Sequence, residues 1–162
     1  MLLVAHTALG IGTGLLIDNP VLAFLVGIIT HHLADATPHY DPGSHMPKDD
    51  WQAHPIHKMT RFDWQFVSLD VVLTISLLFI YVGRLGFSHW PSLVAGIIGA
   101  NFPDLIHNVP FWNRRLRQIS WIRWWQDHIH RRFHWTVPAR QWYIGVATQL
   151  VVLILVSWLV YR

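Results

Sequence analysis

Residues 143–161 constrain this chain more than any other stretch. The run TQLVVLILVSWLVY within them carries no charge and leads into a Tyr-Arg anchor, so it predicts a membrane-spanning helix. Four further apolar segments, 2–17, 21–36, 66–82 and 93–106, extend the pattern. The chain is 52% hydrophobic and 13% charged, roughly half the charged share of a soluble domain, which makes lipid the expected solvent for most of it. The sequence therefore predicts one all-α domain over 1–162, a polytopic integral membrane helix bundle of about five spans. The first, second and fourth segments are near or below the ~17–25 residues of a usual span, so part of each is expected to bury against its neighbours. Residues 1–17 have no Lys or Arg before the apolar run, and IDNP is not a small-residue cleavage site, so the segment reads as structure and not as a signal peptide.

Two polar connections separate the spans. Residues 37–64 are rich in Pro, Asp and His and read as an irregular loop. In 108–141, Trp112, Leu116, Ile119, Ile122, Trp125, Ile129 and Phe133 recur every three or four positions, and Arg114, Arg115, Arg117, Arg123, Arg131 and Arg132 fill much of the rest. That pattern predicts an interfacial amphipathic helix over about 112–135, lying on anionic headgroups. A basic helix packed on the protein or bound to nucleic acid is the alternative. The flanking spans favour membrane lipid as the partner, with no nucleic acid expected. If the spans alternate, both connections lie on one side and hold ten of the twelve basic residues, which places them and the N-terminus in the cytoplasm.

The chemistry available is narrow. There is no cysteine, and all nine acidic residues are aspartates, so His and Asp are the only first-choice metal ligands. Histidine is abundant, with 12 copies. His6, His31, His32, Asp35, Asp70, Asp104, His107, His128, His130 and His134 all fall toward one face of the membrane; Asp18 and His89 fall on the other. In GIITHHLADATPHYD (27–41), His32 and Asp35 share a helix face. Pro38 should end that helix and leave 37–41 as a turn that folds His39 back toward Asp35. Asp104 and His107, also three apart, repeat the arrangement, and Gly27, Ile28, Ile29 and Asp35 align with Gly96, Ile97, Ile98 and Asp104. Such duplicated helix pairs commonly share a site at their interface.

These residues converge on a divalent metal, most simply zinc, one ion or two, held by His6, His32, Asp35, His39, Asp104 and His107. Solvation and capping of helix ends is the competing reading for Asp35 and Asp104. Asp70 and His128 are expected to complete or support the site, Asp70 as the proton acceptor, although an Asp70 to His6 hydrogen bond between helices would serve equally. His130 and His134 are one turn apart, but the glutamate of an HExxH metalloprotease is missing, and both fit the basic face of a surface helix. His57, Lys58 and Arg61 suit a substrate phosphate; His45 and His54 carry weaker signals. No P-loop, dinucleotide fingerprint or serine nucleophile elbow is present.

His6-Thr7 in the first span, the helix ending in LADATPHYD and the later His57-Lys58 together resemble the membrane-bound metal-dependent hydrolases of bacterial inner membranes. That family pairs an early His with a leucine-proline-Asp-x-Asp-His type turn and a later His-Arg. NFPDLIH is the closer copy of the turn, through Asp104 and His107; Ala34 replaces its proline in the first copy, and Thr60-Arg61 stands where a Thr-His-Ser step is expected. The resemblance implies metal-dependent hydrolysis in a bacterial inner membrane. Taken with the residues, the expected function is hydrolysis of a phosphate or other ester, an anionic lipid among them, at the cytoplasmic leaflet. A metal-ion or proton transporter and a bis-histidine haem protein, with His31 or His32 opposite His107, are the alternatives.

Overall fold

The computed structural model describes residues 1–42, 59–85, 89–109 and 112–161. Among them there is no named strand, and the helices run in order as α1 (Leu3–Leu16), α2 (Pro20–Asp35), α3 (Arg61–Leu85), α4 (Trp90–His107), α5 (Asn113–Leu116), α6 (Ser120–Trp125), a π-helical turn (Gln126–His130), α7 (Arg131–Phe133) and α8 (Trp142–Tyr161). The expected all-helical class therefore stands, with corrections to its parts.

Helix α1 is the hub, touching α2, α3, α4 and α8. Ten of its fourteen residues are buried. Helix α2 starts where Asn19 Oδ1 accepts from Val21 N and Leu22 N, with Pro20 at the first helical position. Helices α1 and α2 pack on α4 almost backbone to backbone. A Cβ on Gly10 would lie 2.6 Å from Ile97 Cα, and one on Gly27 would lie 2.7 Å from Gly96 O. The repeat seen in the sequence is thus a packing repeat, because Gly27 and Gly96 are where the two copies meet.

Two helices among the described residues are long and apolar enough to cross a membrane, Arg61–Tyr81 within α3 and Trp142–Val160 within α8. This corrects the expectation of about five spans. At 1.5 Å per residue, α1 and α2 reach only about 21 and 24 Å against a hydrocarbon core of about 30 Å, and α4 carries Asn101, Asp104 and His107 in its second half. Both long helices are thinly covered by protein, with 17% of the most apolar window buried in each. Their outer ends are joined by a hydrogen bond from Tyr81 to Ser157 Oγ, 2.9 Å, beside the Ile11, Tyr81 and Leu93 cluster. At its other end α3 opens with a reciprocal cap: Thr60 N and Oγ1 donate to Asp63 Oδ2 at 2.8 and 2.6 Å, and Asp63 N donates back to Thr60 Oγ1 at 3.1 Å.

The amphipathic segment is also corrected. Residues 112–135 form short helical pieces broken at Arg117–Ile119, not one helix, and the last turns of the segment are π-helical before α7. Asn113, Ile122, Gln126 and His130 point inward, whereas Trp112, Trp121, Trp124, Phe133 and Trp135 are exposed. His45, Lys48, His54, His57 and Lys58 lie outside the described residues; Arg61 opens α3 as an exposed side chain.

Candidate metal centre

The site is built where three close-packed helices end. Helix α1 supplies His6, α2 supplies His31 and Asp35, and α4 supplies Asp104, all held at short range by the glycine contacts below them. Beyond α2, Thr37 Oγ1 donates to Ala34 O at 2.7 Å and closes the turn that reverses the chain at Pro38. That turn pairs with the segment after α7: Trp135 N donates to Asp35 O, His39 N to Trp135 O, and Val137 N to His39 O, at 2.8, 3.1 and 2.8 Å. The single parallel bridge between His39 and Thr136 results, and it sets His39 beside His134. From outside, α8 supports the turn: Gln149 Nε2 donates to Tyr40 O at 3.1 Å, its Oε1 accepts from Leu2 N at 2.9 Å, and Gly145 leaves no room for a Cβ against Tyr40 N.

Asp35 lies at the centre and is fully buried. Its Oδ1 is 3.2 Å from His6 Nε2 and 3.7 Å from His39 Nε2; its Oδ2 is 3.1 Å from His31 Nε2 and 3.9 Å from His134 Nε2. Asp104 lies 3.7 Å from His6, 3.8 Å from His31 and 3.9 Å from His130. Asp41 Oδ2 is 3.2 Å from His39 Nε2 and 3.0 Å from His134 Nε2, and those two nitrogens are 3.4 Å apart. The Met1 ammonium also enters, 2.7 Å from Asp35 Oδ1 and 3.1 Å from Asp41 Oδ1.

Two imidazoles have their tautomer fixed. His31 Nδ1 lies 2.8 Å from Ala100 O, and His39 Nδ1 lies 2.9 Å from Thr37 O; a carbonyl only accepts, so each Nδ1 carries the proton. In each neutral ring the Nε2 lone pair therefore faces carboxylate oxygens, acceptor against acceptor. Only a second proton or a cation reconciles that arrangement. His6 Nε2, His31 Nε2 and Asp35 Oδ2 are buried without a hydrogen-bond partner, a costly state that a metal ion beside them would relieve. Ligand atoms 2.0–2.1 Å from a four-coordinate ion lie about 3.3 Å apart, and the separations here, 3.0–3.9 Å, bracket that value. His, Asp and carbonyl-oriented imidazoles are a donor set for a borderline divalent cation.

The electrostatics differ from group to group. Burial pushes the His130 imidazole down to about 3, which keeps it neutral and able to donate a lone pair. Burial opposes the charge of Asp41, but the Met1 ammonium and His39 outweigh it and hold the carboxyl well below the usual range. Burial also works against His134⁺, and the hydrogen bond to Asp41 turns the balance upward.

Of the residues expected to bind metal, the structure brings together His6, Asp35, His39 and Asp104. It adds His31, Asp41, His130 and His134. His32 points one position around α2, where its Nε2 accepts from Trp125 Nε1 at 3.2 Å. His107 is buried with both ring nitrogens unpartnered, its ring 5.1 Å from that of His130. Asp70 is not in the cluster: its oxygens accept from Leu3 N and Val4 N at 2.8 and 2.9 Å and cap α1. His128 is exposed, stacked on Trp124 with its Nδ1 donating to Trp124 O. Asp18 and His89 pair at 3.3 Å at the opposite end of the bundle. No family model matches the chain, and no curated protein or solved structure matches it either.

Proposed function

We propose that this protein is a membrane-embedded, metal-dependent hydrolase that acts on a phosphate or other ester at one leaflet. The observation that carries the reading is the pair of tautomer-fixed imidazoles, His31 and His39, whose unprotonated Nε2 atoms face Asp35 Oδ2 and Asp41 Oδ2. A bound divalent ion, zinc by donor type, supplies Lewis acidity and an activated water near neutral pH. The chain's own groups do the remainder. His31 and His130 on one side of Asp35, and His39 and His134 on the other, are the imidazoles that would hold metal. Asp104, part-exposed, directs Oδ1 to Asn108 Nδ2 at 2.7 Å and toward His31 and His130, so its Oδ2 is the carboxylate oxygen left to take a proton from the nucleophile. Asp70 is replaced in that role, because both its oxygens are already committed to backbone amides.

Location supports a lipid-borne ester. Gln149 and Asp70, which touch the N-terminal turn of α1 beside the site, lie seven and nine residues into the two long apolar helices, so the floor of the site is about 10–14 Å below their starts. With those starts at the level of the headgroups, that depth is where headgroup gives way to acyl chain. Around it stand exposed Trp112, Trp121, Trp124, Trp135 and Trp142 and the exposed Arg114, Arg115, Arg123, Arg131 and Arg132, a surface suited to anionic headgroups. The outward stripe Val21, Leu25, Ile29 and Leu33 of α2 adds apolar area for lipid to cover. A bacterial inner membrane with the site on the cytoplasmic side fits the arginine distribution and the motif resemblance.

The test is hydrolysis of a chromogenic phosphodiester, a chromogenic carboxylic ester and an anionic phospholipid by purified protein in detergent and in vesicles. Turnover that chelation abolishes and zinc restores is the expected result. Full turnover in metal-free protein, or none with any of the three after metal loading, overturns the reading.

A further inference from the structure

The donor atoms of the site do not form one shell. They separate into two carboxylate-containing sets, each mutually within 4.8 Å: His31, Asp35, Asp104 and His130, and Asp35, His39 and His134. Asp41 joins the second set through Oδ2, at 3.2 and 3.0 Å from His39 and His134. Each lobe then has two imidazoles and one carboxylate of its own, Asp104 in the first and Asp41 in the second. Only Asp35 is common. We infer that the centre holds two divalent cations bridged by the Asp35 carboxylate, one in each lobe. This rests on the reading of the site as a metal centre and specifies its nuclearity and the donors of each ion.

Asp35 is oriented for that role. Its two oxygens divide between the lobes: Oδ2 lies 3.1 Å from His31 Nε2 of the first, and Oδ1 lies 3.7 Å from His39 Nε2 of the second. A carboxylate bridging through both oxygens spaces two ions by about 3.5–4 Å, the separation of two-metal hydrolytic sites. The Met1 ammonium takes one lone pair of Asp35 Oδ1, at 2.7 Å, and Oδ1 of Asp41, at 3.1 Å, which leaves the other lone pair of Asp35 Oδ1 for the bridge and Asp41 Oδ2 for the second lobe. A third grouping, His31, His32 and His130, has no carboxylate, and the Trp125 indole N–H already occupies His32 Nε2. Three carboxylates and one ammonium give the cluster two net negative charges. Two divalent ions reverse that to two positive, a field that attracts a phosphate ester, whereas a single ion would only neutralise it.

The experiment measures metal per chain on purified full-length protein reconstituted with zinc, and the electron paramagnetic resonance spectrum of the same protein loaded with Mn²⁺. Wild type should bind about two equivalents and give the multiline signal of an exchange-coupled Mn²⁺ pair. His39→Ala/His134→Ala and His31→Ala/His130→Ala should each retain about one equivalent with an uncoupled signal, and Asp35→Ala should lose the coupling. One equivalent in wild type with an uncoupled signal overturns the bridge and leaves the hydrolase reading standing. No stoichiometric metal in wild type removes both. The wild-type spectrum decides the question even where a variant fails to fold.

Discussion

Why His31 and not His32 faces the centre follows from what lies four and eight residues before it. Ala23, Gly27 and His31 fall on one line of α2, the line that lets the backbone approach α4, and Asp35 continues it. Gly96, Ala100 and Asp104 make the same line on α4, and His6, Gly10 and Gly14 make it on α1. A polar residue in register with small ones is carried into the interface; one step around the helix it is not. That signal was in the sequence; the three-residue spacing of His32 and Asp35 marks the adjoining face, where His32 groups with His31 and His130 but with no carboxylate. Asp70 shows the reverse case, a carboxylate inside a long apolar helix that looked catalytic and is a helix cap. Asp70→Ala should therefore cost about 1–2 kcal/mol of stability and lower the thermal midpoint by a few degrees, while metal per chain stays at the wild-type value. A variant that unfolds at the wild-type temperature yet has lost turnover would return Asp70 to the catalytic role.

Among the elements, the α1, α2 and α4 contacts set the geometry, since they bring His6, His31, Asp35 and Asp104 within reach of one another. A methyl group at Gly27 would press on Gly96 O, backbone that cannot rotate away, whereas Gly83 near the end of α3 has nothing within 4 Å of the same added atom. Gly27→Ala is expected to destabilise by about 1–3 kcal/mol and to reduce metal retention, and Gly83→Ala to be neutral or stabilising by up to about 1 kcal/mol. Thermal unfolding in detergent, followed by circular dichroism, compares the two; equal midpoints would mean the close packing is not structural. The π-helical turn is the element that periodicity missed. Its extra residue per turn brings Gln126 and His130 inward together, and a pattern read at 3.6 residues per turn assigned His130 and His134 to a basic outer face.

Taken whole, the molecule is a small helical body with two long apolar helices whose outer faces no other part of the described chain covers. In cell fractionation it should stay with membranes through alkaline carbonate and leave them only with detergent; release by carbonate would mean that α3 and α8 do not cross. By itself the sequence determined the helical class, the two long apolar runs, the absence of thiolate chemistry and the gathering of His and Asp toward one end. These depend on composition and on local rules: hydrophobic length, proline at a helix end, residues three or four apart sharing a face. Tertiary structure alone decided that Asp35 is central, that Asp41, His130 and His134 complete its surroundings, and that Asp70 is a cap. Those outcomes hang on a bridge between residues 39 and 136 and on helix contacts about seventy residues apart, which local spacing does not encode.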